Sequence, residues 1–162
     1  MDFSGLIAYP VTPFTTAGAV DLPELARQVE VLVGSGVDSI CVLGTAGSFA
    51  YLSSEERATV VRTAVQAAAG SGIPVGAGVS AMTTQDVLEL AWDAESAGAD
   101  GLVLNPLSYV ALRSPEIADQ VGHRPEIVGA HAGGRLVEHD EARLEDHGAR
   151  DGDALALAAG EL

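Results

Sequence analysis

Short apolar runs recur along the first part of the chain, and longer segments with a helical spacing of apolar residues lie between them. The runs are GLIAY (5–9), SICVL (39–43), IPVGAGV (73–79) and GLVLN (101–105). Each is only a few residues long and has few alternating polar positions, which is typical of strands covered on both faces of a parallel sheet. The sequence therefore predicts four buried parallel strands.

Amphipathic helices are predicted between these strands. The apolar positions three or four residues apart are Leu22, Leu25, Val29, Leu32 and Val33, then Val60, Val61, Ala64, Val65 and Ala68, then Val87, Leu88, Ala91 and Ala94. Ser53–Glu56 and Thr83–Asp86 have the spacing of a capping box, and Ser114-Pro115-Glu116 indicates a further helix start. The strand starts lie about 30 residues apart, so the order β-α-β-α-β-α-β-α predicts right-handed crossovers and an α/β fold.

The composition of the chain changes after Ile117. Residues 118–162 contain no aromatic residue, but they contain all four histidines and half of the arginines. This segment has four arginines and ten acidic residues, so it carries −6 of the net charge of −15 and leaves −9 for residues 1–117. We therefore predict a domain over residues 1–117 and an irregular, largely disordered tail over residues 118–162.

The net charge of −15 argues against binding to nucleic acid or to an anionic membrane surface. No apolar run approaches the roughly 18 residues of a spanning helix, and the N-terminus lacks the basic region of a signal peptide. Cys41 is the only cysteine and lies in an apolar run, which favours a buried structural thiol. These features predict a cytoplasmic protein.

The histidines of the tail are evenly spaced. They are His123, His131, His139 and His147, eight residues apart. Metal ligands on a helix lie three or four positions apart, and a step of eight drifts by about 80° around the axis. We therefore expect no metal site.

Candidate chemistry is concentrated in the turn that follows the second strand. Gly44, Ala46 and Gly47 are small enough to let backbone amides approach an anion closely, and Thr45 adds a hydroxyl. The alternative is a tight turn that needs glycine only for its backbone dihedrals. Spacing alone leaves both alternatives open.

A second glycine motif follows the third strand, where Gly76–Ala81 matches the dinucleotide pattern G-x-G-x-x-A. The cap signals at Thr83 and Thr84 place the helix start beyond the motif. Asp100 begins the next strand instead of ending it, as the acidic residue of such a site should. A nucleotide-binding α/β protein is therefore kept as an alternative only.

Three tyrosines, Tyr9, Tyr51 and Tyr109, lie at or just beyond the C-terminal ends of predicted strands. A phenol in this position can carry protons, or it can cover the core with its hydroxyl in water. Without geometry, the covering role is the favoured interpretation.

Together these turns resemble those of the dihydrodipicolinate synthase/N-acetylneuraminate lyase family. The matching segments are Ala8–Phe14 to its first-strand exit, Gly44–Ser48 to its Gly-(Ser/Thr)-Thr-Gly-Glu loop, Leu52–Arg57 to its next helix start, and Ala97–Gly101 with Asn105-Pro106 to its fourth strand. The resemblance covers residues 4–117. Members are (β/α)8 barrels, so it implies the first four β/α units of a TIM barrel, a half-barrel with parallel strands.

Members of this family form a Schiff base between a lysine and pyruvate or a related keto acid. The resemblance implies that Thr45 supplies the hydroxyl of a proton relay and that Tyr109 is the relay tyrosine. It also implies that Gly44, with the backbone amides of Ala46 and Gly47, holds the carboxylate of a small 2-keto acid such as pyruvate. No cofactor is implied.

The chain departs from the family pattern in two ways. Ala46 and Ser48 replace a threonine and a glutamate of the loop, and none of the 162 residues is a lysine. Only a primary amine forms the Schiff base, and in the family the lysine lies on the sixth strand. We therefore expect a truncated lyase-family member that is inactive alone, or alternatively a non-catalytic keto-acid-binding or assembly module.

A half-barrel leaves its first and fourth strands as open edges. We therefore expect it to pair with a second copy, forming a homo-oligomer, or with a complementing half-barrel.

Overall fold

The computed structural model describes Phe3 and residues 5–110. Its strands are β1 (Ile7–Ala8), β2 (Ser39–Val42), β3 (Val75–Gly78) and β4 (Gly101–Val103), and its α-helices are α1 (Leu22–Val33), α2 (Ser54–Ala68) and α3 (Thr84–Ser96). All four predicted strands and the three helices between them are present. The helix start predicted at Ser114 and the tail over residues 118–162 lie outside the described residues.

The four strands form one parallel sheet in the order β1-β2-β3-β4. Ile40 is in register with Val75, and Gly76 is in register with Gly101. Each helix therefore connects two neighbouring strands, and the order never reverses within the described sheet. This succession is that of a (β/α)8 barrel, whereas a doubly wound sheet reverses its order at a switch point. The predicted half-barrel is confirmed.

The core lies between the sheet and the helices. Strands β2 and β3 are buried along their whole length, while β1 and β4 are only half-buried. The most buried large side chains of the core are Leu25, Val29, Ile40, Val42, Val60, Val61, Val75, Val79 and Val87. Within the described residues β1 and β4 each have one neighbouring strand, so they form the edges of the sheet.

Polar caps define where the helices begin. The Asp21 side chain accepts from the Glu24 N–H at 3.1 Å, and the Thr83 side chain accepts from the Asp86 N–H at 3.1 Å. At α2 the capping box is complete, because Ser53 and Glu56 each accept a hydrogen bond from the other's backbone N–H. These bonds satisfy N–H groups that no helical carbonyl can reach.

Two aspartates align the starts of neighbouring strands. The Asp38 carboxylate accepts from the Leu6 N–H at 2.6 Å, and the Asp38 N–H donates to the Leu6 carbonyl at 2.9 Å. Asp100 forms the same reciprocal pair with Val75, at 2.9 and 2.8 Å. The segments SGVD and AGAD thus form the same reciprocal pair of hydrogen bonds. These pairs hold the starts of neighbouring strands in register, and the candidate site depends on that register.

Within the described part of the chain, no helix is both long enough and apolar enough to cross a membrane.

Candidate functional site

A cavity of about 270 Å³ opens where the four strands end. Its lining residues are Tyr9, Leu43, Gly44, Thr45, Ala46, Gly78, Ser80, Val103 and Asn105. Each of the four strands contributes to this lining, at its last residue or within two residues of it. Ligands of parallel α/β proteins bind at this edge of the sheet, so the cavity is the candidate site.

The turn after β2 is a single 3-10 turn, Thr45–Gly47. Inside it the Gly47 N–H donates to the Gly44 carbonyl at 2.9 Å, and the Ser48 N–H donates to the Thr45 carbonyl at 3.3 Å. Among residues 5–110, the N–H groups of Thr45 and Ala46 have no acceptor. Two successive backbone donors are therefore available to an anion at the cavity.

Two non-glycine residues with positive φ lie on either side of this turn, Leu43 at 60° and Ser48 at 55°. A left-handed conformation costs an ordinary residue about 1–2 kcal/mol. Such strain persists only where the surrounding structure enforces it, and it is concentrated at ligand-binding sites. Here Leu43 is 2% exposed, so packing holds the strained entry to the turn in place.

The Tyr9 ring packs directly on Gly44. A Cβ atom added at Gly44 would lie 2.8 Å from Tyr9 Cδ1, which is closer than real Cβ contacts. Burial raises the pKa of the Tyr9 phenol, and Cys41 adds a smaller contribution in the same direction. Tyr9 is therefore a protonated donor at neutral pH, placed at the wall of the cavity.

Thr12 ties the exit of β1 to the turn after β2. Its hydroxyl donates to the Gly47 carbonyl at 2.7 Å, and the side chain is 6% exposed. Gly47 is itself buried. The Thr12–Gly47 bond therefore positions the turn from beneath.

Arg57 of α2 holds the exit of β3. Its guanidinium donates to the Gly78 carbonyl at 2.9 Å and to the Ser80 carbonyl at 3.2 Å, and it lies 5.4 Å from the centroid of the Phe49 ring. Burial lowers the pKa of Arg57, which stays charged because a guanidinium ordinarily titrates far above neutral pH. Arg57 does not line the cavity, so it acts through the backbone it positions.

The structure brings together three of the five site residues predicted from the sequence, Gly44, Thr45 and Ala46. Gly47 belongs to the same turn but does not line the cavity, and its N–H is engaged within the turn. Tyr109 is 95% exposed and is not among the lining residues. The roles of all five residues stay predictions.

Sequence reasoning weighed Tyr9 as a proton carrier but favoured a covering role, and it gave no site role to Ser80 or Asn105; all three line the cavity. Their common signal is position, since each follows the last residue of a strand by one or two places. Of the three tyrosines, only Tyr9 lines the cavity, and Tyr51 is 87% exposed.

Packing explains the glycines that suggested a dinucleotide site. A Cβ atom at Gly76 would lie 3.1 Å from the Phe3 ring and 3.5 Å from the Cys41 sulfur, and one at Gly78 would collide with the Leu43 carbonyl oxygen. The described sheet also lacks the reversal of strand order at which dinucleotides bind. The nucleotide-binding alternative therefore loses its support.

Cys41 is 1% exposed, and burial raises the pKa of its thiol to about 12. The predicted buried structural thiol is confirmed. Among Phe3 and residues 5–110, no three His, Cys, Asp or Glu side chains are grouped to hold a metal ion, and the four histidines lie outside that range.

Comparison with known proteins identifies the family. The model of the dihydrodipicolinate synthetase family matches residues 2–128. The chain belongs to this family. The 4-hydroxy-tetrahydrodipicolinate synthase of Synechococcus sp. (strain WH7803) is 41% identical to this chain over 105 residues, which are 64% of this chain and 34% of that protein. The chain thus spans about a third of the length of the curated relatives it matches.

Solved structures of the family have the same fold. Dihydrodipicolinate synthase from Agrobacterium tumefaciens is 37% identical with a TM-score of 0.71, and the match covers 79% of this chain and 42% of that one. YagE from E. coli K12, solved in complex with pyruvate, is 31% identical with a TM-score of 0.71, covering 78% and 42%. The described strands and helices therefore have the fold of about two fifths of these relatives' chains.

Proposed function

We propose that the cavity at the strand ends binds the carboxylate of a small 2-keto acid such as pyruvate. The observation that carries this proposal is that Thr45 and Ala46 line the cavity and that their successive N–H groups have no acceptor among residues 5–110. Amides held in a rigid turn bind an anion without reorganisation. The pyruvate complex of YagE supports pyruvate as the first ligand to test.

The Thr45 hydroxyl is the proposed proton carrier of the site. Thr45 lines the cavity, and its hydroxyl makes no hydrogen bond within the described residues. Tyr109 is its proposed relay partner by resemblance, whereas Tyr9 is the tyrosine that lines the cavity. Tyr9→Phe and Tyr109→Phe, compared for their effect on ligand binding, separate the two: loss with Tyr109→Phe alone supports the resemblance, and loss with Tyr9→Phe alone contradicts it.

Lyase chemistry of the family type needs a primary amine, and these 162 residues include no lysine. We therefore propose that this chain by itself binds the keto acid without forming a Schiff base. The proposed barrel segment is residues 1–117 and the proposed separate tail is residues 118–162, in a cytoplasmic protein.

The test is a titration of the ¹⁵N-labelled chain with pyruvate to millimolar concentration. We expect chemical-shift changes at Thr45 and Ala46, and none with acetone, which has the ketone but lacks the carboxylate. Borohydride reduction with pyruvate, followed by mass spectrometry, should leave the mass of the chain unchanged. If the signals of Thr45 and Ala46 do not shift with pyruvate, keto-acid binding is refuted. If a reduced adduct appears, the chain does form a Schiff base and that part of the proposal is refuted.

A second candidate function is assembly through the sheet edges. It is favoured by β1 and β4, each of which has only one neighbouring strand within the described residues. Unpaired strand edges are templates for pairing with another chain. Sedimentation that shows a monomer at high protein concentration would exclude self-assembly, and would leave a complementing half-barrel as the partner to seek.

A further inference from the structure

A second, smaller cavity lies on the helix side of the sheet. It is bounded by α2, by α3 and by the ends of β2 and β3, and its volume is about 10 Å³. One water molecule needs about 10–15 Å³ of such space. Leu43 and Gly78 line this small cavity and also the cavity at the strand ends, so the two cavities share part of their wall.

Arg57 brings an unused donor to the small cavity, which it lines. Its Nη1 and Nη2 groups donate to the carbonyls of Ser80 and Gly78, at 3.2 and 2.9 Å. Its Nε, in contrast, is buried and has no hydrogen-bond partner among the described residues. A buried N–H of a charged group without an acceptor is costly. Because the Arg57 side chain is only 7% exposed, a molecule held within the fold is needed to complete it.

The positive charge of Arg57 also has no carboxylate in contact with it. Asp93 of α3 lines the same small cavity and carries the opposite charge, yet no ion pair joins the two side chains within the described residues. The Phe49 ring, 5.4 Å from the guanidinium, contributes a cation–π contact only. A water molecule that bridges two separated polar groups binds them with hydrogen bonds nearly as favourable as direct ones.

The rim of the small cavity is polar and accessible to solvent. Ser54 and Asp93 both line the cavity and are both exposed, and their side-chain oxygens make no hydrogen bond in the part of the chain that the structure describes. A buried water typically makes about three hydrogen bonds. The Arg57 Nε–H, the Asp93 carboxylate and the Ser54 hydroxyl supply that number, and the exposed rim gives water a way in.

We propose that the small cavity binds one ordered water molecule. The water accepts a hydrogen bond from the Arg57 Nε–H and donates to the Asp93 carboxylate and to the Ser54 hydroxyl oxygen. Asp93 is thereby a positioning residue: it acts through the water on Arg57, whose guanidinium holds the Gly78 and Ser80 carbonyls. Helix α3 thus supports the end of β3 from outside the cavity at the strand ends. This water site stands whether or not that cavity binds a keto acid.

The test is a pair of water-selective NOESY and ROESY experiments on the ¹⁵N-labelled full chain. In the ROESY experiment, dipolar transfer from a bound water and proton exchange with solvent give peaks of opposite sign. A long-lived water also gives NOESY and ROESY peaks of opposite sign. We expect this dipolar pattern at the Hε of Arg57, whereas Arg62, exposed on the same helix, should show exchange only. An exchange peak alone at Arg57, or an Hε signal lost to fast exchange, would overturn the proposal.

Two variants of Asp93 separate positioning through the water from a general effect on α3. Asp93→Asn keeps an acceptor and should keep the dipolar peak, whereas Asp93→Ala should lose it. Asp93→Ala should also shift the amide signals of Val79 and Ala81, whose peptide groups contain the two carbonyls that Arg57 holds. Glu89→Ala removes another exposed acid of α3 that does not line the small cavity, and it should change neither readout. A dipolar peak that survives Asp93→Ala would contradict the role of Asp93.

Titration with bromide distinguishes a water from a small anion. A halide bound beside Arg57 would shift its Nε signal saturably, whereas we expect Arg57 and Arg62 to respond alike, because the cavity is no larger than one water. A saturable shift at Arg57 alone would overturn the proposal in favour of an anion site. A crystal structure with the Asp93 carboxylate directly on the Arg57 Nε would overturn it in favour of an ion pair.

Discussion

At the scale of single residues, the site depends on Gly44 because this residue has no side chain. Gly44 has φ −71° and ψ −174°, an extended conformation that any residue adopts. Its importance is therefore steric: the Tyr9 ring occupies the space that a Cβ atom would need. Backbone dihedrals alone would have suggested that the position tolerates substitution.

Gly44→Ala should displace the Tyr9 ring and weaken pyruvate binding about tenfold, with a loss of about 1–3 kcal/mol in the free energy of unfolding from overpacking. The matched control is Gly34→Ala, since a Cβ there would meet nothing nearer than 3.6 Å. Titration calorimetry and urea unfolding measure the two effects. Equal binding by both variants would show that the Tyr9–Gly44 contact does not shape the site.

Ser80 shows why some site residues escaped sequence reasoning. The pattern G-V-S-A around it belongs to the Gly76–Ala81 motif, which suggested a dinucleotide site, and Asn105 with Pro106 indicates only a strand exit. What makes them a pair is the hydrogen bond from the Asn105 N–H to the Ser80 hydroxyl oxygen, 25 positions apart in the chain, and the cavity that both residues line. Local pattern does not contain that information, because only the parallel register of β3 and β4 creates the contact.

At the scale of elements, α2 positions the site through Arg57. This residue is 7% exposed, and its guanidinium satisfies two carbonyls at the end of β3. Helix α2 thereby positions the end of β3 and the backbone of Ser80, which follows it. The sequence motif that precedes it, Ser53–Glu56, predicted the helix start but not this contact.

Arg57→Met should lower the free energy of unfolding by about 3 kcal/mol, because two buried carbonyls lose their charged donor. Arg57→Lys should recover only part of it, since one ammonium group cannot reproduce the fork of a guanidinium. Arg62→Met, an exposed change on the same helix, should stay within about 0.5 kcal/mol of the native value. Urea unfolding measures all three variants. An Arg57→Met variant with the native free energy of unfolding would contradict the positioning role.

The capping box of α2 makes a pH-dependent contribution. Hydrogen bonds from the backbone and side chain of Ser53 lower the pKa of Glu56 below its ordinary 4.5. Because the folded pKa is the lower one, the contribution is complete above about pH 4.5 and is lost as the pH falls through the folded value.

Ser53→Ala should therefore raise the pKa of Glu56 only part of the way towards 4.5, because it removes the bond from the hydroxyl and keeps the bond from the backbone N–H; an NMR titration of the Glu56 side-chain carbons measures the change. Loss of the N-cap should also cost about 1 kcal/mol of stability. Ser54→Ala, one residue along, removes a hydroxyl that does not bond Glu56 and should leave the titration unchanged. A Glu56 pKa that does not respond to Ser53→Ala would exclude the Ser53 hydroxyl as a cause of the lowered value.

At the scale of the whole molecule, the sheet is buried at its centre and half-buried at its edges. β2 and β3 have a neighbour on each side, whereas β1 and β4 have one each within the described residues. The two aspartate pairs, at Asp38 and Asp100, give the half-barrel a regular repeat along the chain. Such a repeat determines strand register but leaves the edges of the sheet unpaired.

Amide hydrogen exchange should accordingly be slower in β2 and β3 than in β1 and β4, by about tenfold or more for amides that point away from the described sheet. NMR or mass spectrometry of the native chain measures it. Exchange from β4 as slow as from β3 would mean that β4 is covered, by residues beyond 110 or by a second chain. Repeating the measurement at several protein concentrations distinguishes these two cases.

Sequence patterns correctly predicted the order of the elements and their bounds to within a few residues, and they pointed to the turn after β2, whose residues Gly44, Thr45 and Ala46 line the cavity. Apolar runs, helical spacing and polar caps are local properties, so they can be read without knowing what packs against what. The family resemblance added the barrel, and the parallel order of the strands confirmed it.

Which residues share the cavity became visible in the folded structure. Tyr9, Thr45, Ser80 and Asn105 follow four different strands, and the sheet brings them to one edge. It also showed that the Gly47 amide is engaged within its own turn and that Tyr109 lies outside the lining. The physical reason is that hydrogen-bond satisfaction and steric fit depend on neighbours distant in the sequence, which register and packing alone bring together.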